Sequence, residues 1–213
     1  MKIVLEKAGK KFFREWIFRE LDLVVQPSEK IAILGPNGSG KSTFLQMLAG
    51  AYIPTEGKIS YSSGDKLLDP ELVFERVSIS APYLELIEEY NLEELIEFHF
   101  QFKKPVNGMN AETMIELSGL AASRKKMMKY YSSGMKQRVK LILAILSDVD
   151  MVLLDEPCSN LDKKSIQWYQ NLVGKYAGEK TIIVCSNSQS EEYSFCKREL
   201  NVMDWKPVVN GPN

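Results

Sequence analysis

An α/β fold is predicted for the 213 residues, with a parallel core sheet, N-terminal antiparallel strands and an inserted helical subdomain. Three observations predict it. The run Ile31-Ala32-Ile33-Leu34 is apolar on both faces, which suits a strand buried inside a parallel sheet, and glycines followed by helix formers come directly after it. A second apolar run, Met151-Val152-Leu153-Leu154, ends on two carboxylates. Between these runs, from about Glu85 to Ser147, apolar residues recur at helical rather than strand spacing.

The elements follow in order. Residues 1 to 34 read as strands: KIVLE, then EWIFRELDLVV with its β-branched and aromatic residues, a Pro27-Ser28 turn, and the apolar run to Leu34. In GPNGSGKSTFLQMLAG a loop opens a helix, and Gly50 stands where a left-handed residue would end it. GKISY and a Ser-Ser-Gly-Asp turn predict a hairpin after Gly57. In the helical insert, Leu92, Leu95, Ile96, His99 and Phe102 share one helix face. Strands resume at Met151 to Leu154 and Thr181 to Cys185, separated by a helix from about Lys163 to Tyr176. The chain thus reads as one unit, with 1–84 and 148–213 forming the core and 85–147 the helical subdomain.

Composition narrows the function. With 45% hydrophobic residues the chain fills a core, and 27 Lys plus Arg against 28 Asp plus Glu leave a net charge of −1. That balance offers no sequence-independent grip on nucleic acid or anionic lipid. The uncharged stretch from Ser42 to Thr55 contains Gly50 and Pro54 and falls short of the ~18 apolar residues of a membrane span. Three cysteines without a CxxC spacing, and an N-terminus lacking a secretory apolar stretch, point to a reducing cytoplasm. Because His99 is the one histidine, histidine-based zinc sites and Ser/His/Asp triads lose their footing.

Gly35-Pro36-Asn37-Gly38-Ser39-Gly40-Lys41-Ser42 fits G-x-x-x-x-G-K-[ST] in the strand–loop–helix context that a phosphate-binding loop (P-loop) requires. Glycines turn backbone N–H groups inward and the helix N-terminus adds positive potential. Lys41 reaches the terminal phosphates of a nucleotide, and the Ser42 hydroxyl is a magnesium ligand. Asp155 and Glu156 lie at the C-terminal end of an apolar strand, where parallel sheets bind ligands. Asp155 is expected to hold the magnesium shell, and Glu156 to orient and deprotonate the water that attacks the γ-phosphate. Farther on, Tyr130-Tyr131-Ser132-Ser133-Gly134-Met135 precedes the apolar helix VKLILAIL. Small residues capping a helix make a second phosphate-binding end, so a nucleotide touched by two different surfaces is expected.

In that order the motifs resemble the nucleotide-binding domain of ATP-binding cassette (ABC) transporters, a P-loop NTPase family. Gly35 to Thr43 resembles its Walker A motif, Met151 to Pro157 its Walker B motif, and Tyr131 to Met135 a variant of its LSGGQ signature. Ser159-Asn160-Leu161-Asp162 resembles the D-loop, and Phe12 lies where the family stacks an aromatic on adenine, with Phe13 and Trp16 as competitors. The resemblance implies two cassettes, as a homodimer or a pair, face to face around two ATP and Mg²⁺. Walker A of one cassette and Ser132, Ser133 and Gly134 of the other sandwich each nucleotide, and Asp162 aligns the halves. It also implies a transmembrane permease subunit on a separate chain, which would hold the protein at the cytoplasmic face of the membrane. Nucleic acid is not an expected partner.

Two positions depart from the family pattern. Pro82 stands where a glutamine contacts magnesium and relays movement, and Asn187 where a switch histidine contacts the γ-phosphate. Asn187 donates an amide hydrogen bond but carries neither charge nor proton. Loss of a charge-assisted contact costs ~1.5 to 3 kcal/mol, or roughly 10 to 200-fold in rate. Slow turnover is expected, with a nucleotide-gated assembly module of little hydrolysis as the alternative. His99 reads as a half-buried packing residue, Cys158 as a small buried side chain, and Tyr83 and Leu84 either as the floor of a docking groove or as core.

Overall fold

The computed structural model describes residues 1–207 and consists of two sheets and the helices packed on them. Strand β1 (Lys2–Phe12) pairs antiparallel with β2 (Glu15–Val25). It also pairs with β4 (Glu56–Ser63), and the short β5 (Lys66–Leu68) completes a four-stranded sheet in the order β2-β1-β4-β5. The second sheet is parallel, in the order β6-β7-β8-β3-β9. Its strands are β3 (Lys30–Leu34), β6 (Val77–Ser80), β7 (Met151–Asp155), β8 (Thr181–Ser186) and β9 (Arg198–Asn201). Both predicted apolar runs are therefore interior strands, and residues 2–25 and the 56–68 hairpin supply the antiparallel layer.

Helix α1 (Lys41–Leu48) lies between the two sheets. Phe44, Leu45, Met47 and Leu48 are fully buried against Ile3, Leu5 and Phe18 of the antiparallel sheet and against Leu153, Ile183 and Cys185 of the parallel one. Each such Leu, Ile or Phe contributes about 1.5–3 kcal/mol relative to an exposed side chain. Alternation along the strands sends Val152, Leu154, Ile182 and Val184 to the opposite face. There they meet α4 (Ser133–Ile145) and α5 (Lys163–Tyr176), the latter with the bounds its sequence predicts. Helices α2 (Leu92–His99) and α3 (Ala111–Ser118) extend that core through Leu92, Leu95, Ile96, Met114 and Ile115, so the 85–147 segment shares one apolar cluster with the sheet.

Three differences from the expected elements have local causes. β1 runs past KIVLE because Lys7, with φ 47°, forms a bulge whose N–H donates to Asp22 Oδ1 at 2.8 Å, carrying a charged, glycine-containing stretch onward as strand. Helix α2 stops at His99, so Phe102 leaves its apolar face and is 74% exposed, edge-on to Phe98 at 5.2 Å; Lys104-Pro105 follows and disfavours continuation. The edge strand β9 and the short helix α6 (Ser190–Tyr193) carry no apolar run and went unanticipated.

Candidate functional site

The site stands at the C-terminal ends of three adjacent strands, β3, β8 and β7. From β3 the chain enters the loop 35–40 and then α1. Gly40, with φ 104°, turns the last loop peptide into the helix, a conformation most side chains avoid. Lys41 is 5% exposed, and its Nζ donates to the carbonyls of Gly35 at 2.8 Å and Pro36 at 3.1 Å, holding the ammonium against the loop. A cavity of about 310 Å³ opens over the helix N-terminus, lined by Asn37, Gly38, Ser39, Gly40, Lys41, Ser42 and Thr43 together with Ile17 and Glu156. The glycine-rich loop and a carboxylate 115 positions beyond Lys41 thus share one chamber, the juxtaposition that the two motifs predict.

Asp155, at the end of β7, is 3% exposed. Burial pushes its carboxyl above the usual range, against the neighbouring Ser42 hydroxyl and Lys41 ammonium, which pull it down. Glu156 follows with φ 46°, left-handed for a residue with a side chain, at a cost of about 1–2 kcal/mol. Its N–H donates to the Cys185 carbonyl at 2.9 Å, so pairing with β8 maintains the turn that presents its carboxylate to the loop. Asn187 leaves the end of β8 and shares a second, smaller cavity with Asn37, Glu156, Ser159, Gln189 and Glu192. A buried carboxylate beside a serine hydroxyl is a hard-oxygen pair suited to Mg²⁺, which is commonly held by one or two protein oxygens plus phosphate and water. Among the described residues no group of three or more His, Cys, Asp or Glu gathers to hold a metal by itself.

Other expected residues stand apart from these chambers. Ser132 is the N-cap of α4, its hydroxyl accepting the Met135 N–H at 3.2 Å, and both Ser132 and Ser133 are exposed. Gly134 is required by packing: a Cβ there would lie 2.7 Å from the Asn160 carbonyl oxygen. Asp162 caps α5, accepting the Ser165 N–H at 2.8 Å, which holds its carboxyl below the usual range. Phe12 ends β1, edge-on to Tyr52 at 5.4 Å with the Lys10 ammonium over both rings; the hydrophobic wall of the larger cavity is Ile17. Phe13 is fully exposed.

One contributor in this region escaped sequence reasoning, and the remaining residues singled out there take the following places. Gln137 is buried, and its Nε2 donates to the Pro157 carbonyl at 2.9 Å, tying the start of α4 to the turn after Glu156. Tyr83 and Leu84 separate: Leu84 lines a groove of about 280 Å³ with His99, Lys103 and Lys140, whereas the Tyr83 hydroxyl lies beside the Gln46 side chain of α1. Burial, then the neighbouring Asp155, push that phenol up to about 12. Pro82 offers only its carbonyl, which Lys140 Nζ reaches at 3.3 Å. Cys158 is buried, its thiol pushed up to about 12 chiefly by burial, as expected for an inert packing residue. His99 is half-buried, as its sequence context suggests, with Nε2 3.0 Å from the Ser147 hydroxyl.

Comparison with known proteins agrees with this geometry. The family model described as ABC transporter matches residues 18–159. An uncharacterized ABC transporter ATP-binding protein of Haemophilus influenzae is 30% identical over 190 residues, covering 88% of this chain and 76% of that protein. A putative ABC transporter ATP-binding protein from Pyrococcus furiosus superposes with a TM-score of 0.80 at 18% identity, over 97% of this chain and 100% of that one. A dimeric ATP-binding cassette in a post-hydrolysis state with ADP and Pi superposes with a TM-score of 0.78 at 21% identity, over 93% of each chain. At these identities the solved structures speak for the fold.

Proposed function

Because the chain belongs to the ABC transporter family as an ATP-binding subunit, we propose that two copies close around two MgATP and that hydrolysis reopens them to drive a separate transmembrane protein. The observation that carries this reading is a separation. The glycine-rich loop, Lys41, Ser42 and Glu156 line one chamber of the fold, with Asn187 in the cavity beside it, while the serine-capped start of α4 stands exposed outside both. The second helix N-terminus therefore serves a neighbour's nucleotide.

In this reading the 35–43 loop donates its N–H groups to the β- and γ-phosphates, and the Lys41 ammonium exchanges its two carbonyl partners for phosphate oxygens. Ser42 and Asp155 hold Mg²⁺, which when bound neutralises charge developing on the phosphates. Glu156 takes a proton from the attacking water, the Asn187 amide donates to the γ-phosphate, and the partner's Ser132 and Ser133 complete the shell. Release of phosphate removes the ligand shared by the two copies, so the interface opens. Gln137 passes that change to the turn after Glu156 through its bond to the Pro157 carbonyl, and Gly134 lets α4 approach Asn160 closely enough to follow it.

The groove holding Leu84, Lys103 and Lys140 is the docking place we assign to the membrane partner, placing the chain at the cytoplasmic face; no helix among the described residues is long and apolar enough to cross a membrane. Light scattering on Glu156→Gln tests the nucleotide sandwich: dimers are expected in MgATP and monomers in MgADP. A variant that remains monomeric in saturating MgATP overturns it.

A further inference from the structure

Glu192, on the short helix α6, is a third carboxyl beside the hydrolytic chamber and has no role in the reading above. It is 1% exposed. Its Oε1 accepts the Cys158 N–H at 3.0 Å, and its backbone carbonyl accepts the Tyr169 hydroxyl at 2.8 Å, so the residue is held from the turn after β7 and from α5. Oε2 is buried without a hydrogen-bond partner. The side chain lines the cavity of about 170 Å³ that it shares with Glu156, Asn37, Ser159, Asn187 and Gln189, a space large enough for ordered water.

A buried carboxylate oxygen with nothing to accept is costly, and no ion pair among the described residues involves Glu192. The facing groups add to that cost: Asp155 and Glu156 come from the end of β7, and Glu191 is its neighbour on α6. Cys158, Cys185, Tyr169 and Tyr193 are neutral, their thiols and phenols all raised by burial. A proton on Oε2 removes the surplus charge and converts the orphaned acceptor into a donor. We propose that Glu192 is a positioning residue for hydrolysis: protonated at Oε2, it donates into the shared cavity toward the Glu156 carboxylate and keeps that carboxylate turned to the phosphate loop. Burial raises the Glu192 carboxyl to about 7, against the pull of Ser186 and the Cys158 N–H, so the donor is lost as pH rises through that value.

The inference rests on Glu156 being the base, and the test separates the two. Steady-state MgATP hydrolysis by the full chain is followed between about pH 6 and pH 9 for the parent, Glu192→Gln, Glu192→Ala and Glu156→Gln. The parent kcat is expected to fall as pH rises through about 7 with KM unchanged. Glu192→Gln, whose amide donates at every pH, abolishes that fall, whereas Glu192→Ala lowers kcat about 10-fold or more at the acid end. A parent profile without the fall, or a Glu192→Gln profile that retains it, overturns the proposal even if the alanine variant does not fold. Unimpaired turnover by Glu156→Gln overturns the reading of the base instead.

Discussion

Two helix N-termini in this protein use the same backbone device under opposite conditions. At α1 the N–H groups are joined by a 5% exposed ammonium and a 3% exposed carboxylate, all gathered by the ends of neighbouring strands. At α4 two exposed serines face outward, with the Met135 N–H satisfied by the cap, no acidic residue in the first turn, and the nearby Lys136 paired with Glu88. The first is complete within one chain. The second has affinity for an anion but little of its own electrostatic support, since an exposed helix end is worth only ~0.3–1 kcal/mol to a charge. Under the proposed function it works when another surface brings the phosphate, with the nucleotide as the link between copies.

The comparison breaks most readily at Glu156. Glu156→Gln is expected to lower hydrolysis by about 10²–10⁴-fold while ATP affinity, measured by fluorescence titration, stays close to the parent's. A parallel loss of affinity would mean that the chamber is not divided into gripping and cleaving parts. Next in size is Gly134→Asp, which adds a side chain where Asn160 leaves no room and a negative charge where a phosphate is to be received. Hydrolysis falls about 100-fold and the MgATP dimer disappears from light scattering, while monomer affinity for ATP is unchanged. Undiminished hydrolysis would show that α1 alone suffices.

Asn187→His sharpens the comparison by restoring to the α1 side a group that titrates near neutrality. Turnover rises roughly 10-fold or more, in stopped assays at neutral pH; a decrease would show that the smaller cavity is built around the amide. The smallest effect lies away from both ends. Burial, then the nearby Lys103, lower His99 to about 4. The folded state therefore binds fewer protons than the unfolded chain between that value and ~6.5, and stability is lost as pH falls through this window. His99→Gln removes about 1–2 kcal/mol of that acid-side loss, read as a smaller drop in denaturant midpoint between neutral pH and about pH 5. An unchanged drop would assign the acid sensitivity to other groups.

Legibility along the chain followed the range of the interactions. The loop 35–43, the 151–156 strand and helix 163–176 are written in contiguous residues whose chemistry acts within a few positions, and their placement agrees with expectation. β9 and α6 were hidden because their pairing is set by neighbours rather than by an apolar pattern of their own. Phe102 misled because helical spacing continues in the letters after the backbone has turned toward Pro105. Tyr83 shows the same limit: its neighbours suggest a groove, and its hydroxyl reaches α1.

Residue order alone thus determined the family, the glycine-rich strand–loop–helix and the pair of carboxylates at a strand end, since each is a short string whose spacing dictates its geometry. Folding had to bring Glu156 into the loop's chamber, seat Ile17 on its wall, hang Gln137 on Pro157 and bury Glu192 beside them. Those contacts join segments 20 to more than 100 positions apart, and no periodicity within a segment encodes a distance across the sheet.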